Sequence, residues 1–195
     1  MMTKKKSRLM FWTEQLFVAV KVSVLFWVVL LKKGMVYAWI PAIKTAFEFI
    51  QLEHPYDESW WQFSKKKTEG TLFEKFLSFL LTLAFILAMT SWLSLMRVYT
   101  DIYLIVFVLA SFVWIVGILF STVYVYKENN HVRQRVYETL LYMVKHTQQL
   151  LTLALFIGMV SWFTLTKNII GWFIFPGFYL MIDKKLKQID RKQKK

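Results

Sequence analysis

The sequence predicts an all-α fold, a polytopic helical bundle in a membrane, and three observations carry that prediction. Hydrophobic residues make up 57% of the chain and aromatic residues 18%, with a mean hydropathy of +0.43, far from the usage of a water-soluble domain. Apolar runs recur that approach the roughly 20 residues a helix needs to cross a hydrocarbon core of about 30 Å. Basic residues gather beside those runs, and 25 Lys and Arg against 12 Asp and Glu give a formal charge of +13. In that position the charge matches anionic lipid headgroups, which attract each Lys or Arg by about 1 kcal/mol near the surface. The bilayer is therefore the expected partner, and nucleic acid is not.

Five spans follow in order, all in one membrane domain covering residues 1–195. They are Leu16 to Leu31, Phe76 to Met96, Ile102 to Tyr126, Leu150 to Thr166 and Asn168 to Ile182. The fifth is short and carries Pro176 and Gly177, so it either kinks or extends through Leu186 with its lysines reaching for the interface. A secretory signal competes for the N-terminus, since KKKSR precedes an apolar run and Val36 and Ala38 resemble a cleavage site. Lys32, Lys33 and the bulky Trp39 argue against processing.

Two segments between spans have helical periodicity with one apolar stripe. After Pro41, suited to a first helical turn, Ile43, Ala46, Phe47 and Ile50 oppose Lys44, Glu48 and Gln51. From His131 to Gln148, the residues Val132, Val136, Leu140, Leu141 and Val144 oppose Arg133, Arg135, Glu138 and Lys145. Both, about 41–53 and 131–148, are expected as amphipathic helices on the membrane surface.

The stretch LLTLAFILAMTSWLSL (80–95) returns seventy residues later as LLTLALFIGMVSWFTL (150–165), identical at nine of sixteen positions. The Thr, Met, Ser and Trp matches carry the weight, because leucines match readily in any apolar alphabet. Arg97 and Lys167 follow the two copies alike. Spans two and three and spans four and five thus read as one helical hairpin used twice. Each copy holds a small-xxx-small pair, Ala84 with Ala88 and Ala154 with Gly158, and such pairs let helices approach closely where lipid offers no hydrophobic driving force. The two hairpins are expected to meet there, although small residues are common in membrane helices. Trp92 and Trp162, with Arg97 and Lys167, are the expected interface anchors.

Basic residues orient the chain. Lys32 to Lys75 carries seven, Lys127 to Gln148 four, and the tail at 183–195 seven, which places those segments and the C-terminus in the cytoplasm. Five spans then put the N-terminus outside, against Lys4, Lys5, Lys6 and Arg8, unless Met35 to Ile50 makes a partial return passage.

Chemistry is sparse. No cysteine occurs, so disulfides, thiolate nucleophiles and Cys-based metal sites are excluded. The three histidines form no HExxH or clustered pattern, and neither GxSxG nor a phosphate-binding glycine loop is present. Adjacent Asp57 and Glu58 read as a solvated turn. Of the ionisable residues, which usually mark relays or substrate sites inside a membrane, only Lys21 falls within a span, where snorkelling is expected. Ser111, Ser121 and Thr122 offer hydroxyls either to an uncharged ligand or to backbone carbonyls. No catalytic, cofactor or metal residue is nominated, and an enzyme is not expected.

The order of a first span, GMVYAWIPAIKTAF, a polar stretch ending in SWWQFSKKK, and a proline-containing last span before a basic tail resembles the YesL family of small bacterial membrane proteins. The likeness covers nearly the whole chain, with Pro41, Ala42 and Ala46 standing for that family's Pro-Ala-Thr-x-Ala-like motif, while Ile43 and Lys44 depart from it. The resemblance implies a multi-pass protein of the bacterial cell membrane, without a defined site, associated with carbohydrate uptake and degradation. The expected function is a non-enzymatic accessory component of an uptake system with a membrane partner such as a transporter permease, a homo-oligomer being compatible with it. The alternative is a small transporter or channel for a neutral or lipid-like solute.

Overall fold

The computed structural model describes residues 8–52, 55–65, 70–98, 100–127, 131–166 and 170–193. Among them are eight helices and no strand: α1 (Arg8–Lys32), α2 (Trp39–Gln51), α3 (Trp60–Ser64), α4 (Leu72–Arg97), α5 (Asp101–Tyr126), α6 (Val132–Lys145), α7 (Thr147–Thr166) and α8 (Ile170–Gln193). Three helical stretches, Trp12–Lys32, Leu72–Arg97 and Asp101–Tyr126, are long and apolar enough to cross a membrane. The structure thus supports three of the five expected spans. α7 is apolar over the shorter stretch Thr147–Trp162. α8 continues through Pro176 to Gln193, so the basic tail is largely helix. Its Lys, Leu and Gln residues are good helix formers, and no breaker follows Gly177.

The expected surface helix at 41–53 lies inside the protein. α2 buries ten of its thirteen residues and packs against α1, α4, α5 and α8. The stripe Ile43, Ala46, Phe47 and Ile50 is real, but Trp39, Ile40, Ala42, Thr45 and Phe49 extend the buried surface around the helix. Only the narrow line of Lys44, Glu48 and Gln51 escapes burial, and an apolar surface that wide requires protein on several sides.

α2 reaches this position by turning back. Gly34 takes φ 74°, a left-handed conformation that suits glycine, and a 3-10 turn at Met35–Tyr37 leads into α2. At 1.5 Å per residue α2 then runs about 20 Å back along α1. The turn that follows reaches Lys21, whose ammonium donates to the carbonyl oxygens of Tyr56 and Glu58 and lies 4.8 Å from the centre of the Phe17 ring. Lys21 therefore holds the return loop, a partner that the expected snorkelling did not foresee. α3 comes back toward the end of α1, where Lys32 donates to the Ser64 hydroxyl at 3.2 Å.

α4 and α5 form a close pair joined by a short turn, whereas α8 packs chiefly on α1, and α7 bridges α8 and α5. α6 ends at Lys145 and α7 begins at Thr147, so Gln148 belongs to the apolar helix and not, as expected, to the one before it.

Candidate functional site

Three buried polar junctions tie these helices together. The first sits where α2 begins. The opening N–H groups of a helix have no partner within it, and Ala38 brings no side-chain cap. Ser78 of α4 supplies one from outside, its hydroxyl accepting Ile40 N–H at 3.1 Å. One turn further along α4, the Thr82 hydroxyl accepts the Trp39 indole N–H at 3.0 Å and lies 3.0 Å from the Ser78 carbonyl and 3.2 Å from that of Val36. Pro41, Ala42 and Ala46 of the loop motif are all buried here.

The second junction joins α4, α5 and α6. Thr71 and Glu74 form a reciprocal capping box at the start of α4, the Thr71 hydroxyl accepting Glu74 N–H and the Glu74 carboxylate accepting Thr71 N–H at 3.0 Å. Glu74 is only 3% exposed, and its other oxygen lies 3.6 Å from the Arg135 guanidinium. Arg135 in turn donates to the carbonyls of Tyr124 at 2.7 Å and Val125 at 3.4 Å, and stacks 4.0 Å over the Tyr124 ring. A cation is thereby placed on the last carbonyls of α5, at its negative end. Arg135, expected on the polar outer face of α6, points inward, and so does Thr139, which is fully buried. Tyr137, Leu140, Leu141 and Val144 stay outside, at 50% exposure or more.

The third junction is the crossing of α1 and α8. Proline inside a helix removes one N–H and crowds the preceding turn, and α1 side chains reach that turn. The Ser23 hydroxyl accepts Gly177 N–H at 2.9 Å and lies 2.7 Å from the Ile174 carbonyl, while Trp27 donates its indole N–H to Phe173 O at 3.1 Å. A Cβ at Gly177 would overlap the Ala19 carbonyl oxygen. Below it, Tyr179 donates to Thr122 at 3.0 Å, and Lys184 donates to Ile50 O at 2.6 Å. Burial holds the Lys184 ammonium below the usual lysine range.

Two cavities lie among the helices. A void of about 30 Å³ between α1, α2, α5 and α8 is walled by Phe26, Trp39, Trp114, Phe175 and neighbouring apolar groups. A larger one, about 190 Å³, separates α4, α5 and α7.

The residues nominated from the sequence fall unevenly on these features. Ala84 and Ala88 are buried, at 5% and 8% exposure. Ala154 is half-buried, and a Cβ at Gly158 would meet nothing within 4 Å. Ala88 and Gly158 line the larger cavity. The expected contact between the two small pairs is thus replaced there by space, and α4 meets α7 through Trp92 and Trp162, whose rings pack edge to face at 5.8 Å. Arg97 is exposed, and Lys167 lies outside the described residues. Ser121 and Thr122 bond the carbonyls of Gly117 and Ile118, whereas Ser111 lines the 190 Å³ cavity. Ser23, Ser78, Thr82, Glu74 and Arg135 were not nominated. Only the Thr71-Leu-Phe-Glu74 spacing, a capping-box signature, offered a local signal.

Among the described residues no three His, Asp or Glu side chains converge on a point where a metal could sit. These features define an all-helical protein with helices long and apolar enough to cross a membrane, held together by buried polar junctions. Compared with known protein families, with curated proteins and with solved structures, the chain matches none.

Proposed function

We propose that this chain is a non-enzymatic accessory protein of the bacterial cell membrane that serves carbohydrate uptake by binding a membrane partner such as a transporter permease. The observation that carries the reading is α6. Arg135 fixes this helix to Glu74 and to the end of α5, yet Tyr137, Leu140, Leu141 and Val144 remain exposed. A rigidly docked helix with an outward apolar stripe suits contact with a second membrane protein or with the bilayer surface. The interior polar groups described above are engaged in joining helices, which supports a scaffold. The link to sugar uptake rests on the likeness of GMVYAWIPAIKTAF and SWWQFSKKK to the YesL family. In this reading the hairpin is used twice, the bundle crosses the membrane five times and the C-terminal tail is cytoplasmic.

Co-purification of the tagged protein from native membranes in mild detergent tests the proposal, with an unrelated tagged membrane protein as control. A stoichiometric permease that is lost on Leu141→Ser with Val144→Ser supports it. Recovery of the protein without any partner overturns it. The cavity of about 190 Å³ favours a second reading, a carrier or channel for a neutral or lipid-like solute. Flux through liposomes containing the purified protein tests that one, and liposomes no leakier than empty ones count against it.

A further inference from the structure

The cavity between α4, α5 and α7 is lined by Phe85, Met89, Phe107, Ile115 and Trp162, by the small residues Ala88 and Gly158, and by the hydroxyls of Ser111 and Ser161. Its volume of about 190 Å³ exceeds that of the roughly 150 Å³ engineered cavity that takes up benzene. The space is partly open, and the walls that face it forfeit dispersion contacts with the rest of the protein. The structure accounts for it on one side: Gly158 has no atom within 4 Å of where a Cβ would stand, so the wall of α7 recedes where a larger residue would fill the space.

Two hydroxyls at this cavity lack the bond that most helical hydroxyls make, as does the buried Thr164 hydroxyl of α7. Serine and threonine in these helices generally bond the carbonyl one turn back, as Thr90, Ser94, Ser121, Thr122, Thr139 and Thr152 all do. Ser111 and Ser161 form no such bond among the described residues, and both line the cavity. No ionisable side chain lines it, so a charged ligand would be desolvated without a partner at heavy cost.

We propose that this cavity binds a neutral, mostly apolar molecule that carries a hydrogen-bonding group such as a hydroxyl or carbonyl, with Ser111 and Ser161 meeting that group and the aromatic and aliphatic wall enclosing the remainder. The molecule enters from the bilayer side, since α4 and α5 are long and apolar enough to cross a membrane and their outward residues Ile86, Leu109 and Phe112 are exposed. The site is independent of the accessory reading, and either can fail alone.

Photolabelling of the full-length protein in liposomes of phosphatidylethanolamine and phosphatidylglycerol, with octanol carrying a diazirine as the probe, tests the assignment. Adducts mapped by mass spectrometry are expected at Met89, Phe107 and Ile115, and unlabelled octanol should displace them. Labelling at Ile86, Leu109 and Phe112 should not saturate. Gly158→Leu fills the cavity and should reduce the saturable labelling about tenfold. Ser111→Ala with Ser161→Ala should reduce it about fivefold, the worth of one hydrogen bond. Native mass spectrometry then separates two sources of the same chemistry. One uncharged lipid carried over from the native membrane, retained by the wild type and lost from Gly158→Leu, assigns the site to a bilayer lipid, whereas saturable labelling without a retained lipid assigns it to a free solute. Should Gly158→Leu not fold, the wild type alone decides. Labelling at Met89, Phe107 and Ile115 that octanol does not displace, with no retained lipid, overturns the proposal.

Discussion

Small residues serve opposite ends at two places in this bundle. At the α1–α8 crossing, Gly177 lies so close to Ala19 and Ser23 that a Cβ has no room, and Ser23 bonds the backbone on both sides of Pro176. On the α7 wall, Gly158 faces open space. Both glycines sit inside helices flanked by apolar residues and look alike in sequence. What separates them is the facing helix. α1 presents Ala19 and Ser23, four residues apart, at the point where a proline disturbs α8, so that backbone meets backbone. α4 presents Ala88, and α5 presents Phe107 and Ser111, around a gap. A small-xxx-small pair therefore permits close approach without causing it. The approach occurs where a second interaction, here the Ser23 hydroxyl in the turn of Pro176, draws the helices together.

The sharpest way to break this contrast is Gly177→Ala. The added methyl would overlap the Ala19 carbonyl, a backbone atom that no rotamer change can move, so α1 and α8 must separate and Ser23 must lose its bonds. Overpacking of a well-packed core costs about 1–3 kcal/mol and occasionally more, and the backbone clash puts this substitution at about 3 kcal/mol or above. Thermal unfolding in detergent should show a strongly lowered Tm or no folded protein. A Tm equal to that of the wild type would mean that the helices do not cross this closely.

Ser23→Ala has a smaller effect because it leaves the steric fit in place. It strips Gly177 N–H of its acceptor and Ile174 O of its donor. A buried unsatisfied group costs about 1–3 kcal/mol, while hydrogen bonds between membrane helices average about 0.6 kcal/mol. A loss of about 1–2 kcal/mol is expected, and Ser23→Thr, which keeps the hydroxyl but crowds the crossing, should be no better. An unchanged midpoint for Ser23→Ala would show that packing alone holds the crossing.

Helix type and approximate extent were legible because the apolar runs at Phe76 to Met96 and Ile102 to Tyr126 are long and uninterrupted, and the structure has helices over both. The position of α2 was not. Its stripe of Ile43, Ala46, Phe47 and Ile50 is what a surface helix would show, and periodicity cannot say whether a bilayer or four other helices cover it. The alternative of a return passage through Met35 to Ile50 lies nearer to what is found. Arg135 was misplaced for a related reason. A charged residue on an amphipathic helix is read as solvated, but its partner Glu74 lies 61 residues away (135 − 74), and the carbonyls it caps belong to another helix. Distance in sequence likewise hid Ser78 from Ile40, 38 residues apart, and Ser23 from Gly177, 154 residues apart. Local signals such as the capping box at Thr71 and Glu74 could have been read from spacing, whereas tertiary caps carry no local pattern.

The smallest effect belongs to Gly158→Ala, and it tests the contrast most cleanly because the chemical change equals that at Gly177. A Cβ at Gly158 meets nothing within 4 Å, so no steric cost arises. Replacing glycine by alanine inside a helix gains about 0.5–1 kcal/mol in water. A membrane helix stays largely helical in a detergent-unfolded state, so part of that gain cancels, and a midpoint between unchanged and about 0.5 kcal/mol more stable is expected. The same methyl that breaks one helix crossing would then be silent or helpful 19 residues away (177 − 158). A loss of 1 kcal/mol or more at Gly158 would instead mean that another surface, α4 closing over the cavity or a second copy of the chain, approaches its backbone. The α7 wall would then be a packing face of the kind its small pair first suggested.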